Sequence, residues 1–147
     1  MTSTPVTFDT NVLAKLSGKN YPRSSLLSAV VLQELTAGAS DAAEIRAWDA
    51  FRKQYEAEGK LLVPNGEDWW MAGKILNSLY RGLRSRRVGH TSAIPKEEQQ
   101  RLLRDVLIAR TAKRANATVV TENLRDFEKI RRFCDVSVST PAEYFGP

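Results

Sequence analysis

Short β-prone runs alternate with segments of helical periodicity along this chain, and this alternation constrains the fold most. The strands are predicted at 6–8, at a run ending near Ser28, and at 60–64, 118–121 and 136–138. The helices are predicted at 10–18, 28–38, 41–58, from about 67, at 95–116 and at 123–133. Strands that alternate with helices predict an α/β fold. We expect a mostly parallel central sheet of about four to five strands, with helices on both faces.

The length of 147 residues suits one hydrophobic core, so we expect a single domain over 1–147. Residues 81–94 are rich in Arg, Gly and Ser, and we expect a loop or a frayed helix end there. No apolar run approaches the roughly 20 residues that a membrane span needs. The first residues also lack the basic start and apolar stretch of a signal peptide. We therefore expect a cytoplasmic protein with no membrane partner.

The chain is almost without cysteine and histidine. Cys134 and His90 are the single residues of each type, which excludes an internal disulfide, a cysteine-based zinc site and a two-histidine metal site. Cys134 is expected to be a small buried residue. The 22 Lys and Arg exceed the 17 Asp and Glu, for a net charge of +5. This excess favours an anionic partner such as nucleic acid.

Acidic residues stand near the ends of the predicted strands. Asp9 follows the first strand, and Glu34 lies in the helix after the second. Asp105 interrupts an apolar helical run, and Asp126 lies shortly after the 118–121 strand. Because functional sites of parallel sheets form at the carboxyl ends of their strands, these side chains can converge. Converging carboxylates repel one another unless protons or cations intervene.

An all-oxygen carboxylate site suits Mg²⁺ or Mn²⁺. Such ions can activate a water for phosphodiester hydrolysis without help from histidine or cysteine. Taken singly, each acid has a simpler interpretation: Asp9 could cap the helix from Thr10, and Asp105 could face solvent. The occurrence of four acids on the appropriate elements favours the metal site.

Four segments carry a resemblance to a known family. They are Phe8–Leu13 (FDTNVL), Ser28–Leu35 (SAVVLQEL), Arg104–Ala109 (RDVLIA) and Val119–Phe127 (VVTENLRDF). In order, spacing and flanking residues they resemble the PIN domain. More narrowly, they resemble the toxins of VapBC-type bacterial toxin–antitoxin pairs. The resemblance extends from residue 6 to about residue 130.

This resemblance implies an Mg²⁺- or Mn²⁺-dependent endoribonuclease. Asp9, Glu34 and Asp105 would be its catalytic, metal-binding carboxylates. Asp126 matches a fourth, more variable acidic position, for which Glu122 and Asn123 compete. Thr121 matches a small hydroxyl residue beside the site. Asn11 and Asn123 match polar positions that hold the carboxylates.

The resemblance also implies a set of partners. They are an RNA substrate, a second copy of the chain in a homodimer, and a small antitoxin whose C-terminal tail blocks the site. DNA would be contacted only through the antitoxin, in a larger toxin–antitoxin assembly. The stretch between Glu34 and Asp105 is long for the family, and the extra residues are expected around 84–100, as an insertion or loop.

Two further groups of side chains have open interpretations. The first is a basic cluster that could contact RNA phosphates or form a solvated helix end, namely Arg81, Arg84, Arg86 and Arg87. The second is a tryptophan pair. Trp69 shares a helical stripe with Ala72, Gly73 and Leu76 and is expected in the core, whereas Trp70 lies off that stripe and is expected to be exposed.

Two other functions compete with the nuclease. A PIN-like module without catalysis would only bind RNA or DNA. A phosphatase or phosphotransfer domain would use Asp9 as a nucleophile, but a haloacid-dehalogenase-type enzyme needs a second Asp two residues later. Position 11 is Asn, so the sequence disfavours this function.

Overall fold

The computed structural model describes residues 4–16, 21–86 and 94–146. Within them the strands form one five-stranded sheet in the order β3-β2-β1-β4-β5, and every pairing is parallel. The strands are β1 (Val6–Phe8), β2 (Ser25–Ser28), β3 (Leu61–Leu62), β4 (Thr118–Val120) and β5 (Ser137–Ser139). The predicted α/β class with a parallel sheet of four to five strands is confirmed.

The helices in the described residues lie between these strands or, for the last one, after them. They are α1 (Thr10–Leu13), α2 (Ala29–Ala37), α3 (Ala42–Ala57), α4 (Gly66–Arg86), α5 (Lys96–Arg114), α6 (Leu124–Arg131) and α7 (Pro141–Phe145). Right-handed crossovers predict α1–α3 on one face of the sheet and α4–α6 on the other. Helix α2 also contacts α5. From the central strand β1, the chain adds β2 and then β3 on one side of the sheet. It adds β4 and then β5 on the other side. The carboxyl ends of β1 and β4 therefore flank the point where the strand order reverses, which is where α/β proteins place their sites.

Helix α5 forms the centre of the core. Its residues Val106, Ile108 and Ala109 have no exposed surface, and they pack in one cluster with strand residues such as Val119 and with Phe127 of α6. Close packing of this kind leaves little freedom to rotate or slide a helix. The polar residues of α5 therefore have a fixed position relative to the strand ends.

Buried ion pairs, called here the α4–α5 tie, join the start of α4 to the end of α5. The Asp68 carboxylate is fully buried and lies 2.9 Å from Nη2 of Arg114 and 3.4 Å from Nη2 of Arg110. Asp68 also accepts a hydrogen bond from the backbone N–H of Asn65, whose side chain caps the backbone N–H of Asp68 in return. This reciprocal cap satisfies two donors at the helix start and turns Asp68 towards α5.

The structure corrects the predicted position of Trp69. Its side chain is 53% exposed, and Gly73 is exposed too, whereas Ala72, Ile75, Leu76 and Leu79 form the buried face of α4. The reason is that Asp68 takes the inward position of the first turn. Trp70 is 71% exposed, as predicted.

Other sequence predictions differ in detail. Helix α4 continues through Arg86 and α5 begins at Lys96, so helix covers part of the 81–94 stretch for which a loop or frayed end was predicted. Residues 87–93, with His90, lie outside the described residues. Helix α7 was not predicted, and α1 ends at Leu13, well before Gly18. Cys134 is buried, as predicted.

No helix in the described ranges is long and apolar enough to cross a lipid bilayer.

Candidate active site

Asp9 sits at the carboxyl end of β1, beside the end of β4. The register pairs Phe8 with Val120, the last residues of the adjacent strands β1 and β4. Asp9 and Thr121 directly follow them and therefore lie side by side. The Thr121 hydroxyl donates a 2.7 Å hydrogen bond to Oδ2 of Asp9. Oδ1 of Asp9 accepts from the backbone N–H of Thr10, so Asp9 also caps α1. The strand register thus fixes Oδ2 of this carboxylate, and the start of α1 fixes Oδ1.

Thr121 continues a chain of hydrogen bonds into α6. Its Oγ1 accepts a 2.9 Å bond from the backbone N–H of Asn123. The Asn123 side-chain amide then donates to Oδ2 of Asp126 at 2.9 Å, and more weakly to Oδ2 of Asp105 at 3.5 Å. One short segment after β4 therefore connects three of the four predicted acids.

Glu34 reaches the site from α2. Helix α2 starts at the end of β2, where Ser28 caps it by accepting from the backbone N–H of Val31. Glu34 lies in the second turn, and its side chain is 23% exposed. Its Oε1 is 3.3 Å from Nε of Arg104, the residue that precedes Asp105 on α5. Glu34 is the most accessible of the four carboxylates, since Asp9, Asp105 and Asp126 are all buried.

The carboxylates perturb one another electrostatically. Burial, followed by the negative charges of Asp9, Asp126 and Glu34, raises the pKa of Asp105 to about 8, against the opposing effect of Arg101. Burial also raises the pKa of Asp9, although the hydrogen bonds from Thr121 and Thr10 oppose the rise. A nearby positive charge would favour the ionised form of such a buried carboxylate.

Two arginines of α5 partly supply that charge. Besides the Arg104–Glu34 pair, Nε of Arg101 lies 3.2 Å from Oδ2 of Asp126. Across the ranges that the structure describes, no three His, Cys, Asp or Glu side chains are arranged to hold one metal ion as they stand. The acids are therefore close enough to interact by charge, but their oxygens are directed towards hydrogen-bond donors and arginines.

Sequence reasoning missed Arg101 and Arg104. The signal was present in the spacing, because Arg101 and Asp105 are four residues apart in a helix and lie on one face. Arg104 follows Arg101 by three residues, so it also projects near that face. Their proximity to Glu34 and Asp126 depends on how α2 and α6 pack on α5, which spacing alone does not give.

The other predicted site residues differ in what they contact. Oδ1 of Asn11 accepts a 3.4 Å hydrogen bond from the backbone N–H of Glu122, so Asn11 holds the loop after β4 rather than a carboxylate. Glu122 is exposed and pairs with Lys15. Of the basic cluster, Arg81 is exposed on α4. The side chains of Arg84, Arg86 and Arg87 lie outside the described residues, so their contact with RNA stays a prediction.

A cleft opens beside the acids between α4, α5 and α6. Its volume is about 540 Å³, including its open mouth. Asp126, which belongs to the acid cluster, and its partner Arg101 line it together with Lys129, Arg132, Phe133 and Glu98. The Phe133 ring is 45% exposed. Cationic and aromatic groups thus share one cleft with Asp126.

Comparison with protein families identifies one match over most of the chain. The model of the PIN domain matches residues 6–133. This range includes all four acids as well as Thr121 and Asn123. A search of curated proteins gave no match.

Solved structures with a similar fold come from bacterial complexes. VapBC-1 from nontypeable Haemophilus influenzae aligns with a TM-score of 0.59 and 21% identity over 93% of this chain and 98% of that one. DNA-bound VapBC from Salmonella typhimurium aligns with a TM-score of 0.57 and 21% identity, over 94% and 98%. VapBC2 from Rickettsia felis, bound to a promoter DNA fragment, gives 0.55 and 18%, over 93% and 98%. At these identities the likeness establishes the shared fold.

Proposed function

Because the chain belongs to the PIN domain family, we propose that it is an Mg²⁺- or Mn²⁺-dependent endoribonuclease acting as the toxin of a toxin–antitoxin pair. The observation that carries this proposal is the convergence of Asp9, Glu34, Asp105 and Asp126 at the carboxyl edge of the sheet. Burial, and then the charges of the other three, raise the pKa of Asp105 to about 8. A divalent cation bound by these carboxylates would relieve the repulsion between their negative charges.

The donor set fits a hard divalent ion. All four side chains offer oxygen, which Mg²⁺ and Mn²⁺ prefer. Asp9, Glu34, Asp105 and Asp126 would hold the ion or ions after their oxygens turn from their present partners. When bound, the ion lowers the pKa of a water molecule and stabilises negative charge on the phosphate.

The surrounding residues position these carboxylates and the substrate. Thr121 fixes Asp9, and Asn123 holds Asp126 against Asp105. In the adjoining cleft, Lys129 and Arg132 attract the RNA backbone, and the exposed Phe133 ring offers a face on which a base can stack. The acids would thereby meet a phosphate whose neighbouring nucleotides lie along the cleft.

Cleavage of a labelled, mixed-sequence RNA tests the proposal. With Mg²⁺ or Mn²⁺ the protein should cut internally, and EDTA should stop it. Asp9→Asn and Asp105→Asn should abolish cleavage, whereas Asp135→Asn, at an exposed acid outside the cluster, should leave it intact. Full activity in Asp9→Asn or in EDTA would overturn the mechanism.

The structural neighbours support one partner in particular, an antitoxin. Those neighbours are VapBC complexes, some of them bound to DNA. From these complexes we extend an antitoxin partner to this chain. Homodimerisation, DNA contact through the antitoxin alone and a cytoplasmic location are proposed on the family resemblance. Expression of the chain should arrest growth, and co-expression with a small protein encoded beside it should restore growth. Continued arrest with every neighbouring small protein would contradict the antitoxin proposal.

A second candidate function is RNA binding without cleavage. The pairing of Glu34 with Arg104 and of Asp126 with Arg101 favours it, because these ion pairs neutralise carboxylates without any metal. The same assay separates the two functions. Salt-sensitive RNA binding with no metal-dependent cleavage would support the binding module and exclude the nuclease.

A further inference from the structure

The acid cluster and two arginines of α5 are in direct contact. Nε of Arg104 lies 3.3 Å from Oε1 of Glu34, and Nε of Arg101 lies 3.2 Å from Oδ2 of Asp126. Both arginines project from the helix that carries Asp105, one turn apart. They therefore approach the cluster from the same side but contact acids on two different elements, α2 and α6.

These arginines are held less firmly than the acids. Their side chains are 38% and 50% exposed, against 10% for Asp126. An ion pair with so much solvent contact adds little to folding stability. A guanidinium also carries five N–H donors in a planar fork, which matches the oxygens of a phosphate. Each arginine is thus anchored at a buried helix but can reorient at its charged end.

We propose that Arg101 and Arg104 are exchangeable counter-ions, which pair with the carboxylates in the metal-free protein and transfer to an RNA phosphate when a divalent ion binds. The inference rests on the proposed function, since it assumes that the acids bind metal and the surface binds RNA. The divalent ion and the arginine compete for the same carboxylate oxygens, and this competition is the reason for the exchange. A carboxylate oxygen that ligates a divalent ion has less negative charge to offer an arginine, and the ion repels the guanidinium.

Exchange of this kind couples the binding of the divalent ion to the binding of RNA. RNA that engages Arg104 removes a competitor from Glu34 and should tighten metal binding. By thermodynamic reciprocity, metal should tighten RNA binding by the same factor. The arginines would thereby limit metal binding in the absence of substrate.

Calorimetric titration of the full, metal-stripped chain with Mn²⁺ measures this coupling. The titration is run with and without a phosphorothioate RNA that resists cleavage. For the wild type, the RNA should tighten Mn²⁺ binding by about fivefold or more. Arg104→Gln should bind Mn²⁺ more tightly than wild type when RNA is absent, and should lose most of the gain from RNA. Arg104→Lys, which keeps the charge, should retain part of that gain.

A matched control breaks a similar ion pair elsewhere. Arg131 pairs with Glu128 at 2.8 Å on the exposed side of α6, with a comparable 41% exposure. Arg131→Gln should leave Mn²⁺ binding and its coupling to RNA unchanged. Mn²⁺ binding that is unchanged or weaker in Arg104→Gln would overturn the proposal and make the pair structural.

The outcomes also separate this inference from the nuclease proposal. Coupling without cleavage of ordinary RNA would support the counter-ion exchange and reject the nuclease. Metal-dependent cleavage without coupling would reject the exchange and support the nuclease. A chain that binds no Mn²⁺ at all would overturn both.

Discussion

Thr121 is the residue that most directly links the strand register to the site. Its hydroxyl donates to Asp9 and accepts from the backbone N–H of Asn123, so one small side chain positions parts of two elements. A fully buried hydroxyl with two partners is costly to remove, because its partners are left unsatisfied.

Thr121→Val should therefore destabilise the protein by about 1–3 kcal/mol. It should also reduce RNA cleavage, since Asp9 loses a hydrogen bond that favours its charged form. Thr121→Ser keeps the hydroxyl and should retain most of both properties. Urea unfolding and the cleavage assay measure the two effects. A Thr121→Val protein with wild-type stability and activity would contradict the positioning role.

Asp105 should make the stability of the metal-free protein depend on pH. Its pKa is raised from 3.8 to about 8 in the folded state, mainly by burial and then by its acidic neighbours. Between these values the folded protein holds a proton that the unfolded chain has lost. The free energy of unfolding should therefore fall as pH rises from about 4 to about 8.

Asp105→Asn should flatten this decline, because Asn carries no charge at any pH. Chemical unfolding in EDTA at a series of pH values between 4 and 9 tests the prediction. Asp135→Asn serves as the control, since that residue is exposed, and it should preserve the wild-type slope. An equally steep decline in Asp105→Asn would assign the pH dependence to other groups.

At the scale of elements, the site depends on the tie between α4 and α5. Asp68 is fully buried between two arginines, and the side chain of Arg110 is only 11% exposed. Removing one partner of a buried ion pair leaves the other charged and desolvated. The tie therefore stabilises the position of α5, the helix that carries Asp105, Arg101 and Arg104.

Asp68→Ala should lower the free energy of unfolding by about 3–5 kcal/mol. The matched control is Asp49→Ala, which breaks exposed ion pairs with Arg52 and Lys53 on α3 and should leave stability nearly unchanged. Urea unfolding of both variants gives the comparison. Equal stabilities would show that α5 is held by apolar packing alone.

The elements also show where sequence reasoning succeeds. A helix at 28–38 was predicted from local residues, and the structure has α2 at Ala29–Ala37 with Ser28 as its cap. Trp69 was wrongly assigned to the core because periodicity does not reveal that Asp68 faces inward. That orientation is set by Arg110 and Arg114, more than 40 residues away along the chain.

For the whole molecule, a bound divalent ion should link folding to metal concentration. A ligand that binds only the folded state stabilises it by mass action. Mg²⁺ or Mn²⁺ should raise Tm, and the rise should be larger at pH 8 than at pH 6, because the carboxylates must lose their protons to bind metal.

Asp9→Asn should be at least as stable as wild type without metal and should gain less from Mn²⁺. Asn can still cap α1, and the change removes one charge from the cluster. Thermal unfolding with Mn²⁺ or with EDTA gives both comparisons. A marked loss of stability in metal-free Asp9→Asn would mean that Asp9 serves chiefly as a structural cap.

The sequence by itself determined the α/β class, the order of most elements and the four acids, because these depend on local periodicity, caps and the residues that end each strand. The tertiary structure alone decided which groups contact those acids. The register of β1 against β4 brings Thr121 to Asp9, and the packing of α2 and α6 on α5 brings Arg104 to Glu34 and Arg101 to Asp126. These pairs join residues distant in sequence, so local periodicity carries no information about them.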